Sequence, residues 1–273
     1  MDPANYAGLA HWIKHSKQVA PNQQIIVVLN YNKRVISNKK GEKVANTEFG
    51  TDTFNKNINS LVNLFVNKGL LLDGNTYTAD GVHIDFEAFL RNDSVLLGSL
   101  KYLRTNALAS NRYFSVSAPV NFTPNKTWDS DYINAIAAVV NQVNPMFYDQ
   151  MGWGSPIDSP DAYRLLWKSE VKRYSDAIGQ TGPFQERSQL VPLMPSYERR
   201  IVKENLIIYH DPYVENMNTA ILGLKSAIAE GANVHGAGIF WWPTFIGHDP
   251  FLYPANYHLL DQDTWMKNWV NSI

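Results

Sequence analysis

The chain has 273 residues, 45% of them hydrophobic, enough to bury a sizeable core, and α/β barrels of about this length form one domain. A net charge of −1, with no long block of Lys or Arg, excludes an electrostatic footprint for nucleic acid or an anionic membrane surface. The lack of cysteine excludes disulfides, zinc-thiolate centres and cysteine nucleophiles, and no apolar run approaches the roughly 18 residues of a membrane span.

Short β-branched or apolar runs alternate with longer segments of helical period, the pattern of parallel strands joined by crossover helices. Residues 3–20 read as a helix with Leu9, Trp12 and Ile13 on its apolar side. His11 and His15 stand four apart, a metal-ligand spacing on a helix, but no third ligand is near, so they read as a solvated face. A strand over 25–29 and a polar excursion over 33–51 follow. Phe54, Ile58, Leu61, Val62 and Phe65 then recur at helical spacing, between caps at Thr51 to Thr53 and a stop at Gly69. Further strands are expected over 82–87, 113–118, 145–148, 190–194 and 238–242, with helices over 131–140, 163–177, 214–230 and 265–270. The Pro, Gly and Ser of 152–161 and the segment 245–257 read as long loops after strands, where barrel enzymes hold substrate. No repeat or linker divides the chain, so residues 1–273 read as a single domain.

The most informative stretch is Asp80-Gly-Val-His-Ile-Asp-Phe-Glu87. Strand alternation sets His83, Asp85 and Glu87 on one face and Val82, Ile84 and Phe86 on the other. The second set is core-like. Three titratable groups along an otherwise apolar strand would cost several kcal/mol each if buried without partners, so they are expected to converge on a site of chemistry or binding. Eight Trp and fourteen Tyr supply flat rings of the kind that stack on sugar faces, with core packing as the plain alternative.

Asp80-Gly-x-x-x-Asp85-x-Glu87 resembles the D-G-x-D-x-D-x-E signature of glycoside hydrolase family 18, the chitinases and endo-β-N-acetylglucosaminidases. Met146-Phe-Tyr148-Asp149 looks like the family's sixth-strand M-x-Y-D, and Pro195-Ser-Tyr197 like its seventh-strand P-x-Y. Gly238-Ile-Phe-Trp-Trp242 resembles the eighth strand that ends in a sugar-stacking Trp, and Ser115-Val-Ser-Ala118-Pro119 fits the small-residue fifth strand. These elements occur in the family's order over residues 25–245.

The resemblance implies an α/β fold, a (β/α)8 barrel, and cleavage of β-linked N-acetylglucosamine in which the sugar's own acetamide oxygen attacks C1. It makes Glu87 the general acid and base, aided by a partly apolar site that raises its pKa. Asp85 becomes the carboxylate that holds the acetamide N–H, coupled in titration to Glu87. Tyr148 becomes the hydroxyl on the acetamide oxygen. Asp149 is implied as polar support at the rim, Met146 as packing beneath the N-acetyl group, and Trp242 as the floor of the sugar subsite, with Trp241 as the alternative ring. Tyr197 and Ala118 join them as substrate-binding positions. Trp153, between Gly152 and Gly154, is a candidate to stack a leaving-group sugar or else a loop anchor. The resemblance implies no cofactor and no metal, a polysaccharide containing N-acetylglucosamine as partner, and a secreted protein, although residues 1–20 lack the apolar stretch of a signal.

Three departures stand out. His83 replaces the second Asp of D-G-x-D-x-D-x-E, the one two residues before Asp85, which implies weak or pH-shifted hydrolysis. Val27-Val-Leu-Asn-Tyr-Asn32 lacks the family's S-x-G-G, so Asn30 and Tyr31 are expected to line the pocket in its place. Only 24 residues precede the strand equated with the family's third. The barrel is therefore expected to lack its first two strands or to be irregular there, with a preceding segment or another subunit completing it. Two other functions fit the residues less closely. One is a sugar-binding, catalytically impaired relative; the other is a metal-dependent enzyme built on His83-x-Asp85, an H-x-D pattern that belongs to all-β folds.

Overall fold

The computed structural model of the chain describes residues 6–31, 35–37, 43–87, 90–108, 112–120, 128–152, 155–196, 201–203 and 207–240. They form two compact units: one from residues up to 117 with 135–142 and 180–188, the other from 118–134, 143–179 and 189 onward.

In the first unit, helix α1 (Ala7–Val19) buries Ala10 and Ile13 and leaves His11 and His15 exposed, as a solvated face requires. Lys17 on its last turn donates to Asp80 at 2.6 Å, and the same carboxylate oxygen accepts from the Ile25 N–H at 2.7 Å. Asp80, the first acid of the sequence motif, therefore fastens α1 and the first strand to the base of the motif strand. That first strand, β1 (Ile26–Asn30), precedes a hairpin of β2 (Val35–Ser37) and β3 (Lys43–Ala45) within the expected polar excursion. Helix α2 (Asp52–Val62) starts where the Thr51 hydroxyl accepts from the Phe54 N–H, and continues through a π-helical turn (Asn63–Lys68) to Gly69. A hairpin of β4 (Leu70–Leu72) and β5 (Asn75–Tyr77) turns at Asp73-Gly74, both at positive φ. Then come β6 (Gly81–Asp85), α3 (Ser94–Asn106) and β7 (Tyr113–Ala118). The large strands are parallel in the order β1-β6-β7, with Asn30 opposite Asp85 and His83 opposite Ser115.

The chain passes from one unit to the other along α4 (Ser130–Ala137) and β8 (Gln142–Pro145). The second unit continues with α5 (Pro160–Ile178), β9 (Gln189–Leu190), β10 (Leu193–Pro195), the hairpin of β11 (Ile201–Lys203) and β12 (Ile207–His210), α6 (Met217–Ala229) and β13 (Gly238–Phe240). The Val191 N–H donates to Val143 O, Met146 bridges Leu193 in parallel, and β10 pairs with β13 in parallel. Helices α5 and α6 pack closely because Gly223 has no side chain: a Cβ there would sit 2.5 Å from Arg164 O.

Parallel strands alternating with helices make this the α/β class read from the sequence. Details differ. Helix α3 is an addition, started by the Asp93 carboxylate, which accepts from the Val95 and Leu96 N–H groups. Strand β8 ends at Pro145 where the apolar run 145–148 suggested a start, because the Asn144 amide is buried on Val191 O rather than turned to solvent. The expected strand over 190–194 is two pieces separated at Val191 and Pro192. The expected helix over 265–270 lies outside the described residues.

Gly81 opens β6 under a tight constraint, since a Cβ there would lie 2.1 Å from Tyr113 O, a backbone atom of the neighbouring strand. A Gly81→Ala substitution is expected to cost about 2 kcal/mol or more, read as a fall of several degrees in the melting temperature. An unchanged melting temperature would mean that the β6–β7 spacing is not fixed by this contact.

Candidate active site

Strand β6 carries the pattern its sequence dictates: Val82, Ile84 and Phe86 are buried, His83 and Asp85 are half-buried, and Glu87 beyond the strand end is exposed. The end of the strand is anchored by Phe86, which joins Tyr31, Phe49 and Phe54 in a cluster with ring centroids 4.9 to 5.9 Å apart. Such pairs contribute roughly 0.5–1.5 kcal/mol each beyond burial. With Phe86 held inward, its neighbours Asp85 and Glu87 are turned the other way. Glu87 is thus exposed where the resemblance implies a partly apolar surrounding.

His83 lies between two buried serines. Its Nδ1 is 2.8 Å from Ser115 Oγ and its Nε2 2.9 Å from Ser117 Oγ, so one hydroxyl donates to the ring and the other accepts. Burial pushes the imidazole down to about 4, against the pull of the Asp85 charge. The ring is therefore neutral near pH 7. Asp85 takes a different partner: its Oδ2 accepts from the Asn30 amide at 2.7 Å, across the β1–β6 register pair. Asn30, expected to line the pocket, thus acts first as the support of Asp85. The other oxygen, Asp85 Oδ1, is buried and has no hydrogen-bond partner among the described residues. A buried carboxylate oxygen without a donor is unfavourable, and a ligand N–H would relieve it.

In the second unit the Met146 N–H donates to the carbonyl of buried Ala118 at 2.9 Å, which joins two predicted site residues directly. Tyr148 stacks on Phe240 with centroids 4.5 Å apart and planes 6° from parallel. Asp149 follows with φ of 55°, a left-handed conformation that costs about 1 kcal/mol outside glycine. Its Oδ1 lies 3.5 Å from Nδ1 of His210, which also meets Glu215 Oε2 at 2.7 Å, and both His210 and Glu215 are fully buried. The second Glu215 oxygen accepts from the Gln150 N–H at 2.7 Å. Burial raises the Glu215 carboxyl above its ordinary range in spite of these hydrogen bonds. The ligating atoms of Asp149, His210 and Glu215 fall within 4.8 Å of one another, close enough to hold a cation, although both Glu215 oxygens are already engaged.

Tyr197, Trp153, Trp241 and Trp242 lie outside the described residues. Phe240, one position before the two tryptophans, is the ring found on Tyr148, and sequence reasoning passed over it in favour of Trp242. His210 and Glu215 were also missed. Their five-residue separation bridges a turn after β12 and matches no strand or helix period.

No protein-family model and no curated protein matches the sequence. Solved structures do. The chitinase ICChI from Ipomoea carnea superposes with a TM-score of 0.54 at 13% identity, covering 100% of this chain and 82% of that one. A chitinase of glycoside hydrolase family 18 from Pseudoalteromonas aurantia gives 0.50 at 14%, covering 96% and 81%. A xylanase and α-amylase inhibitor protein, solved with trehalose, gives 0.50 at 14%, covering 88% and 79%. The chain has the α/β fold of family 18 chitinases and of chitinase-like proteins that act as inhibitors. Among the described residues, no helix is long and apolar enough to cross a membrane.

A histidine held neutral in the fold makes stability depend on pH. With the folded value near 4 and the unfolded value near 6.5, the unfolded chain binds the extra proton between them, so stability falls as pH drops from 6.5 toward 4. The loss is of order 2–3 kcal/mol. His83→Gln, whose amide reaches a similar distance, is expected to flatten that part of the unfolding curve against pH. An equal slope in both proteins would show that His83 is not the group responsible.

Proposed function

We propose that residues 1–273 act as one glycosidase domain that cleaves β-linked N-acetylglucosamine by substrate-assisted retention. The observation that carries the reading is the donorless, buried Oδ1 of Asp85, held by Asn30 at the end of a parallel strand, with Glu87 two residues on. An acetamide N–H is the donor this oxygen needs. In the proposed reaction Glu87 protonates the leaving oxygen while the acetamide oxygen closes on C1. Asp85 orients the N–H and balances the charge of the resulting oxazolinium ion, and Tyr148 hydrogen-bonds the acetamide oxygen. Glu87 then takes a proton from water, which opens the ring at C1 with net retention. Met146, Ala118, Asp149, Tyr197, Trp242 and Trp153 are assigned to sugar binding in this scheme. It uses no cofactor. Chitin-type chains and the chitobiose of N-glycans both carry the required acetamide, and the reading places the protein outside the cell.

The reading extends to a partner for the sheet. Among the described residues strand β1 ends the strand order, Val28 and Trp12 are 57% and 52% exposed, and they line a groove with Tyr6, Leu9, Leu61 and Phe65. A further segment or subunit that adds a strand there would cover it.

A second reading is a sugar-binding protein without turnover. It is favoured by the neutral His83 where the family carries an acid, and by the inhibitor protein among the structures that share the fold.

Turnover of a chromogenic chitooligosaccharide separates the two. For the enzyme, Glu87→Gln is expected to lower kcat about 10²- to 10⁴-fold with binding retained, and His83→Asp to move the acid limb of the kcat/KM profile by about one pH unit. Binding without turnover in the wild type would decide for the second reading, and an unchanged pH profile would remove His83 from the mechanism.

A further inference from the structure

The Tyr148–Asp149 turn is held from outside its own sequence. The carbonyl of Tyr148 accepts from the Gln150 side chain, and the Gln150 N–H donates to Glu215 Oε1 at 2.7 Å. The Gln150 carbonyl accepts from Ser155 Oγ at 2.5 Å, and the Met151 N–H donates to Tyr209 O at 3.2 Å. Tyr209 and His210 are adjacent on β12, so this strand and the turn that follows it supply two of these contacts. Glu215 sits immediately before Asn216, whose side chain accepts from the Thr219 N–H to start α6. It is therefore rigidly placed. With His210 Nδ1 on Oε2 and Gln150 N–H on Oε1, one fully buried carboxylate fixes both a buried imidazole and the backbone that carries Tyr148.

We propose that Glu215 and His210 form a clamp, a pair of positioning residues that sets Asp149 in its left-handed conformation and Tyr148 against Phe240, so that the tyrosine hydroxyl is presented to the sugar acetamide. The last clause rests on the glycosidase reading. The clamp itself does not. The left-handed Asp149 is the conformational signature of the clamp: an unstrained turn would carry Tyr148 on a different path, and the 3.5 Å contact of Asp149 with His210 ties the strained residue to the same carboxylate.

Two readouts test it. In protein labelled with 13C in its tyrosine rings, the Tyr148 signals are identified by their loss in Tyr148→Phe and are displaced by the ring current of Phe240. Glu215→Gln presents one donor where two acceptors are needed, and it is expected to move those signals toward unstacked positions while the protein remains folded. His210→Asn keeps a donor in the place of Nδ1 and is expected to retain them, whereas His210→Ala is expected to lose them. If His210→Ala does not fold, the contrast between Glu215→Gln and His210→Asn decides. Stacked Tyr148 signals in Glu215→Gln would overturn the clamp, as would a divalent cation such as Zn²⁺ bound at this cluster in the purified protein.

The second readout is turnover. Glu215→Gln is expected to lower kcat about 10- to 100-fold with little change in KM, and the double variant with Tyr148→Phe to fall no further than Tyr148→Phe alone. Additive losses would show that Glu215 does not act through Tyr148. Should the wild type neither bind nor cleave the sugar while the Tyr148 signals respond as described, the clamp stands and the glycosidase reading fails.

Discussion

Everything at the candidate site depends on which way Phe86 points. Its buried ring packs with those of Tyr31, Phe49 and Phe54, and the removal of such a side chain from a core costs about 3–5 kcal/mol. The strand period is two, so a slip of one residue would exchange the two faces and bury the acids in place of the aromatic ring. The energy that holds Phe86 inward is thus what holds Asp85 outward. The parallel register adds the second coordinate, because it sets Asn30 opposite Asp85 and so delivers an amide donor to one carboxylate oxygen and leaves the other free to accept.

Within that frame the chemistry of β6 is a contest between desolvation and charge. An imidazole one strand step from a carboxylate would be protonated if the Coulomb attraction prevailed. It does not prevail: burial depresses His83 to about 4 while the Asp85 charge pulls the other way. The two serines explain how the neutral ring is accommodated, since one hydroxyl donates to a ring nitrogen and the other accepts from the ring N–H, with no charge required on either. The neutral His83 therefore sets no cation beside Asp85 on the strand, and the unmatched Asp85 oxygen is poised for a neutral N–H donor.

The parts of this arrangement that were legible in the sequence are those in which one strand face alternates cleanly. The run from Val82 to Phe86 declared both its conformation and its orientation, and the α/β class followed from its alternation with helical segments. Elements whose polar residues are buried were not legible. Asn144 looks like a loop residue until its amide is found on Val191 O, so β8 was expected three residues too late. Helix α3 was passed over although its Asp93-Ser94 start is an ordinary N-cap, because the apolar residues that follow give only a weak contrast between faces. Asp80 shows the opposite failure: a residue inside a recognisable motif serves as a structural tie to Lys17 and Ile25, away from the end of the strand where the other acids stand.

The supporting residues follow a common rule. Asp85 depends on Asn30 from β1, His83 on serines from β7, and the turn of Tyr148 and Asp149 on Glu215 and His210 from around β12. None of the partners lies in the same short motif as the residue it supports. A short motif can therefore be retained in a sequence while its chemistry is altered or lost through changes elsewhere in the chain, because the partners, not the motif, determine protonation and direction. Two histidines make the point within one molecule: His83, given hydroxyls, is a neutral spacer in the strand, while His210, given a carboxylate, becomes one half of a clamp on the turn. The residue type is the same, and its role is assigned by the groups that meet its ring nitrogens.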